Sequence, residues 1–449
     1  MAPLAVLGLG GAGAFKLAGS VFPIGYADNR EVTTLKGVAK TKDALRSRIA
    51  AIPRSGPIVV VAAEGGGIHA SYRAGRILAK LDDESGGRFF SHIAAISSVS
   101  GGSVGTALYV AAREGYDGSC IGGKMDDVLA QDLLSPILLR LFFTDWMSVA
   151  GPIAAGADRS RGLEAGMAVA LDHDAPRKEV AVSLLNRGVM ELACDPTRPL
   201  LFFNTASTQE GDRFVISADD LSGYLDKRPA FRGSANSMPN GDVSLAVAAS
   251  LSARFPVVQP SGRIPLDKEL TGRRYERVID GGVFDNSGVS TALDIVQAVR
   301  DIAPERKVVL LIIGNHGTGE KELVERPTDV AFGETLALPA TVLKMIYAKN
   351  GPTNFELAHR APGQSVRIVN MEWDHDPIGV PLGWMLHRVR QEALAFQIGA
   401  TDEFPKNVKP LKDGGRTACF HALNAAMIQE LVEMIPGGPT ACTPLEKGP

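Results

Sequence analysis

The chain lacks several features that would tie it to a metal, to nucleic acid or to a bilayer-spanning role. Its 449 residues include four cysteines, none with CxxC or zinc-finger spacing. The formal net charge of -3 gives no basis for a nucleic-acid partner. No uninterrupted apolar stretch reaches about 20 residues, the length that a transmembrane helix needs. We expect free, buried thiols, with pairing of Cys419 and Cys442 as the alternative in an oxidising compartment.

The composition is that of a globular protein, with 45% hydrophobic and 22% charged residues. Residues 1–27 are rich in Ala, Gly and Leu but have no basic start, so a cleaved signal peptide is a poor fit. They are interpreted as either a membrane-associated or a core-packing element. Residues 28–56 are polar and predict a connector with a short helix. The location expected from this pattern is the cytoplasm or the periphery of a membrane.

Apolar runs alternate with segments of helical periodicity from residue 57 onward. Strands are predicted at 57–63, 92–99, 275–279 and 308–313, with a hairpin at 200–204 and 213–217. Helices are predicted at 68–81, 100–112, 243–253 and 289–300. This alternation predicts an α/β fold with a mostly parallel central sheet and helices on both faces. The domain expected is 57–449, with a core of about 57–320 and a C-terminal extension of about 321–449, preceded by 1–56.

Three polar blocks follow three of the predicted strands. They are Glu64-Gly65-Gly66-Gly67, the run from Ser98 to Ser103, and Asp280-Gly281-Gly282. The carboxyl ends of parallel strands meet at one edge of a sheet, which is where α/β folds collect their chemistry. The three blocks are therefore expected to form one site.

Two serines compete for the role of nucleophile in the second block. A nucleophile elbow places its serine on the sharp turn between strand and helix, between small residues. Ser100 occupies that junction. Ser103 matches the G-x-S-x-G pattern more literally but would lie in the first helical turn. We therefore predict Ser100 as the nucleophile, the alternative being a Ser/Gly turn without chemistry.

The other two blocks supply an oxyanion site and a base. The glycines at 65–67 lack Cβ atoms, so their N–H groups, with that of Gly101, can approach a tetrahedral intermediate. A tight turn or a phosphate-binding loop is the alternative interpretation. Asp280 ends a strand and could take the hydroxyl proton of Ser100 directly, unless it only satisfies amides of its turn. Asp285 is the second candidate for this role.

Together these motifs resemble those of the patatin-like phospholipases. The resemblance covers about residues 57–315 and includes the run from Ala249 to Pro256. It implies a three-layer patatin-like fold, a Ser100–Asp280 dyad without histidine, and an oxyanion hole from the glycine loop. It also implies hydrolysis of lipid acyl esters without a metal or other cofactor, and a supporting helix and turn at 249–256.

The chain departs from that family at two positions. Ser98 stands where the elbow usually has Gly, although a small residue suffices there. His69 stands where many members carry Arg two residues after the glycines. It would either take over an oxyanion-supporting role or lie on the helix surface, and we expect the helix surface. Arg73 is nearby in sequence, but its helical position predicts that it points elsewhere.

Several rival interpretations remain open from sequence. Ser100, Asp280 and His316 follow the chain order of an α/β-hydrolase triad. An acyltransferase would use the same acyl-enzyme. The run from Gly8 to Gly13 satisfies G-x-G-x-x-G and would indicate dinucleotide binding, but no strand follows where that fold needs one. Asp374-His375-Asp376 resembles a metal site superficially and is interpreted as a solvated loop.

An unusually apolar stretch lies at residues 126–155, with large side chains concentrated at 133–147. It predicts either a lipid-facing cap or a buried core helix. Together with the predicted dyad, this apolar stretch predicts a phospholipase A or lysophospholipase-type esterase that acts on lipid esters at a membrane surface.

Overall fold

The structure is a computed structural model. It describes residues 35–36, 43–115, 120–133, 135–139, 161–172, 178–221, 224, 241–256, 259–266, 268, 274–314, 366–371, 388–401 and 414–440.

The strands are, in chain order, β1 (Leu35–Lys36), β2 (Ile58–Ala63), β3 (Ile93–Val99), β4 (Leu200–Ser207), β5 (Arg213–Ile216), β6 (Gly241–Asp242), β7 (Gly262–Pro265), β8 (Tyr275–Asp280), β9 (Val308–Ile313) and β10 (Val366–Met371). The α-helices are α1 (Ala44–Ala51), α2 (Gly67–Glu84), α3 (Phe89–His92), α4 (Ser100–Gly115), α5 (Gly122–Leu129), α6 (Ser135–Leu139), α7 (Arg161–Asp172), α8 (Lys178–Asn186), α9 (Val189–Ala193), α10 (Leu245–Ser252), α11 (Val289–Ile302), α12 (Arg388–Gln397) and α13 (Gly414–Met434).

Eight strands form the central sheet, in the order β10-β9-β2-β3-β4-β8-β7 with β5 also paired to β4. The run from β10 to β4 is parallel. Strand β2 is buried on both faces: Val59 and Val61 belong to one apolar cluster, whereas Ile58, Val60 and Ala62 belong to the other. Helices α2 and α4 lie over the first cluster, and α1 and α11 over the second. The expected α/β fold with helices on both faces is confirmed.

The predicted strands and helices of the core are all present, with ends shifted by a few residues. One direction differs from the expectation. Strand β8, which carries Asp280, runs antiparallel to β4. A strand segment of six residues does not by itself determine strand direction, because direction depends on the connections before it. The hairpin of β4 and β5 is antiparallel, as predicted.

The segments on either side of the motif region also contribute to the fold. Helix α1 packs Leu45 and Ile49 into the second cluster, so the predicted connector is part of the core from that helix onward. At the other end, β10 pairs with β9 and extends the sheet. Residues 1–34 lie outside the described residues, as does the glycine run at 8–13.

The apolar stretch at 126–155 is described only in part. Leu133 and Ile137 are buried in the core, whereas Leu139 is 59% exposed. Residues 140–160 lie outside the described residues. In the ranges that the structure describes, none of the helices combines the length and the hydropathy of a membrane span.

The cysteines differ from the expectation of free, buried thiols. Cys194 and Cys419 form no disulfide, but both are exposed. Cys120 is disulfide-bonded to a partner outside the described residues. A pairing of Cys419 with Cys442 is therefore wrong, because helical flanking positions do not specify which thiols meet in space.

Candidate active site

Strands β3 and β8 meet end to end along one edge of β4. Asn204 of β4 pairs with Val99 on one edge and with β5 on the other. The next residue, Thr205, pairs with β5 and with Asp280. Strand β8 therefore lies on the same edge of β4 as β3. Because the two strands run in opposite directions, their carboxyl ends face each other, and this brings Asp280 to Ser100.

Ser100 occupies the turn from β3 into α4 in a strained backbone conformation. Its φ is +49°, a left-handed value that non-glycine residues rarely adopt and that is typical of a nucleophile elbow. Its N–H donates to Ser252 Oγ at 3.1 Å. Its Oγ donates to Asp280 Oδ2 at 2.6 Å. The expected contact between these two side chains is thus present, with no third group between them.

Asp280 is fully buried beside Ser100. Burial raises the pKa of this carboxyl to about 6, while the hydrogen bonds from Ser100 and from the Gly282 N–H oppose that rise. The Gly282 N–H donates to Oδ1 at 2.8 Å, which leaves Oδ2 for the serine. A base with a pKa near 6 is ionised at neutral pH yet basic enough to take a proton from a reacting hydroxyl.

The glycine loop packs directly against the elbow. An ideal Cβ on Gly101 would lie 1.9 Å from the Gly67 carbonyl oxygen, so only glycine allows this approach. Gly67 opens α2 with a φ of +64°. As the first residue of a helix, its N–H has no intrahelical acceptor. Gly66 precedes it, and neither N–H has an acceptor among the residues that the structure describes. The two donors therefore stand beside Ser100.

Gly65 has a different role from the one predicted. Its N–H donates to the Asn286 carbonyl oxygen at 2.8 Å and is not available to an oxyanion. The predicted oxyanion set is thereby reduced to Gly66, Gly67 and Gly101. Three consecutive glycines carry no sequence signal of which amide is already bonded, because the acceptor lies more than 200 residues away.

The two second-ranked residues are held by other partners. Ser103 is buried, and its Oγ lies 2.8 Å from Ser252 Oγ and 3.0 Å from Ser98 Oγ. Asp285 accepts hydrogen bonds from Ser287 and from the N–H of Ser290 in the first turn of α11. Ser103 is thus part of a buried hydroxyl chain, and Asp285 holds the start of a helix.

His69 and Arg73 are buried, which differs from the expectation of a surface histidine and an arginine pointing elsewhere. Both lie on α2, which is covered by α4, α5 and α13 and therefore has little exposed surface. Burial lowers the pKa of Arg73 to about 9, and the charge of Glu64 opposes that change. The guanidinium therefore interacts with the carboxylate that immediately precedes the glycine loop.

Three supporting residues were missed from the sequence. The Ser252 hydroxyl binds the Ser100 N–H and donates to the Asn204 carbonyl oxygen at 2.6 Å. The Asn204 side chain donates to Ser97 Oγ and to the Ser98 carbonyl oxygen, both at 2.9 Å. Asn286 binds the glycine loop. Ser252 lies in the run 249–256 already singled out, but Asn204 and Asn286 gave no signal beyond being polar residues in or near strands.

Three predicted groups lie outside the described residues: His316, the glycine run at 8–13 and the triplet at 374–376. Among the residues that the structure does describe, no group of three or more His, Cys, Asp or Glu side chains is placed to hold a metal ion.

Comparison with known proteins gives little further information. No protein-family model matches the chain, and no curated protein is detectably similar to it. The crystal structure of VipD from Legionella pneumophila is similar at a TM-score of 0.34 and 12% sequence identity, covering 90% of this chain and 71% of VipD. A similarity this distant carries no argument about function, so the interpretation of the site depends on its geometry.

Proposed function

We propose that the chain is a lipid acyl hydrolase of the patatin-like type that works through a Ser–Asp dyad. The observation that carries the proposal is the 2.6 Å hydrogen bond from Ser100 Oγ to Asp280 Oδ2, at a strained strand-to-helix turn beside glycine amides. A buried carboxylate with a raised pKa is suited to act as base and then as acid in one reaction cycle.

The reaction begins when Ser100 Oγ attacks the ester carbonyl carbon and Asp280 takes the hydroxyl proton. The carbonyl oxygen becomes an oxyanion, which the N–H groups of Gly66, Gly67 and Gly101 stabilise. When the intermediate collapses, the bond to the leaving alcohol breaks and Asp280 returns its proton to that oxygen. Water then attacks the acyl-enzyme and Asp280 takes a proton from it. When this second intermediate collapses, the bond between the acyl carbon and Ser100 Oγ breaks, Asp280 returns the proton to Oγ, and the fatty acid leaves. Each oxyanion donor is expected to contribute about 10²- to 10³-fold in rate.

The direct contact favours a dyad over the rival triad. In a triad the imidazole stands between the carboxylate and the hydroxyl, whereas here the two oxygens share a hydrogen bond. His316→Ala separates the alternatives, because a dyad enzyme keeps most of its activity and a triad enzyme loses several orders of magnitude. Adding an alcohol acceptor and measuring transfer against hydrolysis separates the acyltransferase alternative from the hydrolase.

Labelling with a fluorophosphonate probe tests the proposal directly. The wild-type protein is expected to be labelled, Ser100→Ala is not, and Ser103→Ala still is. Ser103 is the matched control because it is buried one helical turn away with its hydroxyl bonded elsewhere. Labelling that persists in Ser100→Ala, or that is lost only in Ser103→Ala, contradicts the assignment.

A further inference from the structure

The oxyanion loop needs an anchor outside itself. Gly66 and Gly67 have no side chains, so side-chain packing cannot fix the direction of their N–H groups. A backbone donor contributes to catalysis only when it points at the position that the oxyanion takes, and small displacements are costly. The anchor must therefore act through the backbone that flanks these two residues.

Asn286 binds both polar backbone groups of Gly65, the first residue of the loop. Its carbonyl oxygen accepts the Gly65 N–H at 2.8 Å. Its side-chain Nδ2 lies 3.3 Å from the Gly65 carbonyl oxygen and 3.2 Å from Glu64 Oε1. Because Nδ2 faces two acceptors, the orientation of the amide is determined, and the flipped form would place an oxygen against both.

The other end of the amide fixes how closely the loop approaches the nucleophile. An ideal Cβ on Gly65 would lie 2.3 Å from Asn286 Oδ1 and 3.0 Å from Ser100 Cβ. The space that a side chain on Gly65 would need is therefore occupied by Asn286 Oδ1 and bordered by Ser100, so the asparagine, the loop and the elbow pack closely together. Asn286 is only 4% exposed, so water does not loosen this packing.

Asn286 also belongs to the chain segment that leaves Asp280. Strand β8 ends at Asp280, a 3-10 turn follows at Gly281–Val283, and Asn286 lies before the start of α11. One short segment thus presents the carboxylate on one side of Ser100 and the loop anchor on another. The base and the oxyanion donors are in this way held in a fixed relation.

We propose that Asn286 is a positioning residue that holds the oxyanion loop against Ser100. The inference depends on the proposed function, since it assigns a role within the same acyl-transfer site. Asn286→Ala removes the amide but keeps the backbone hydrogen bond to Gly65. The kcat for a soluble p-nitrophenyl ester is expected to fall about 10- to 100-fold, with KM changed less than threefold.

Two inhibitors distinguish positioning from general damage. A short-chain trifluoromethyl ketone adds to Ser100 and places its oxygen where the oxyanion forms, whereas an ether of the same chain length senses only ground-state binding. In Asn286→Ala, affinity for the ketone is expected to fall by about the same factor as kcat, and affinity for the ether to change less than threefold. The midpoint of the pH profile stays that of the wild type, because the contacts of Asp280 are untouched.

Asn424→Ala is the matched control, because Asn424 is a buried asparagine on α13 that bonds to the Gln397 carbonyl oxygen. It is expected to leave the ratio of ketone to ether affinity unchanged. If Asn286→Ala does not fold, Asn286→Ser is measured instead at a temperature below its unfolding midpoint. Unchanged ketone affinity, or an equal fall for ketone and ether, overturns the inference. If instead Ser100→Ala retains full activity, the proposed function itself fails.

Discussion

Gly101 and Gly67 are in backbone contact across the junction of the elbow and the oxyanion loop. A Cβ on Gly101 would lie 1.9 Å from the Gly67 carbonyl oxygen and 2.9 Å from its nitrogen. Those atoms belong to backbone and cannot swing away as a long side chain would. The close approach of the elbow to the loop therefore requires that residue 101 has no Cβ.

Gly101→Ala should consequently displace the loop from the nucleophile. We expect kcat to fall by about 10²-fold or more, because the oxyanion donors no longer reach the intermediate. The measurement is hydrolysis of a soluble ester. Gly123→Ala on α5 is the control, since nothing lies within 4 Å of its new methyl group. Equal activity of the two variants would show that the close contact does not matter for catalysis.

The pH dependence of activity should follow Asp280. The carboxylate must be ionised to accept the serine proton, and burial raises its pKa to about 6. The value of kcat/KM is therefore expected to rise with pH and to level off above a midpoint near pH 6. A profile recorded on a soluble ester between about pH 4 and 8 checks this. The same midpoint in His316→Ala assigns the titration to the carboxyl and not to an imidazole.

Asp280→Asn should be inactive but more stable than the wild type at neutral pH. The folded pKa of Asp280 is raised, so the unfolded chain loses this proton at lower pH than the native protein does. Its contribution to stability is therefore full at low pH and is lost as pH rises toward 6 and above. The free energy at stake is at most about 3 kcal/mol. Denaturant unfolding of both proteins at pH 4 and pH 8 measures it. If the difference in stability between Asp280→Asn and the wild type is the same at both pH values, the burial argument is contradicted.

Ser252→Ala should weaken catalysis by releasing the backbone of the nucleophile. Its hydroxyl accepts the Ser100 N–H and donates to the Asn204 carbonyl oxygen. We expect kcat to fall about 10-fold and stability to fall by about 1 to 3 kcal/mol, because buried groups lose their partners. Ser250→Ala is the matched control, because Ser250 lies on the same helix, is fully buried, and its hydroxyl has no hydrogen-bond partner among the described residues. Ser250→Ala should leave both quantities close to those of the wild type.

Contact with a lipid surface, which we propose for the apolar region 133–147, is tested at Leu139. This side chain is 59% exposed on α6, whereas its neighbours Leu133 and Ile137 belong to the core. Leu139→Asp is expected to lower hydrolysis of phospholipid vesicles several-fold and to spare that of a soluble ester. Leu423→Asp on α13 supplies the control, as another exposed leucine, 36% exposed, on a different helix. An equal loss on both substrates in Leu139→Asp would reject the contact.

Much of the fold could be predicted from the sequence because its central strands are short, continuous apolar runs. Such runs as Ile58–Ala63 and Val308–Ile313 are buried on both faces, and their composition shows it. The contact between Ser100 and Asp280 could be predicted for the same reason, since Ser100 directly follows β3 and Asp280 ends β8. The direction of β8 could not be predicted in this way: its sequence is mixed, its burial alternates along the strand, and it runs antiparallel to β4.

The details of the site could not be predicted from the sequence, because they depend on partners that are distant in the chain. The N–H of Gly65 is bonded to a residue beyond Asp280, and His69 is buried by elements that follow it. Helical periodicity identifies an apolar face but not whether the opposite face is also covered. Glycine, serine and asparagine carry no such periodic signal at all, so their roles emerge only from contacts.

The end-to-end arrangement of β3 and β8 determines when the Ser100–Asp280 pair can form during synthesis of the chain. Ser100 and Asp280 are separated by 180 positions in the chain. The two strands that lead to them, β3 and β8, do not pair with each other. A nascent chain that has emerged from the ribosome only as far as β5 holds the serine without its proton acceptor. The Ser100–Asp280 pair is therefore incomplete until β8 has been synthesised and has paired with β4, beyond the end of β3.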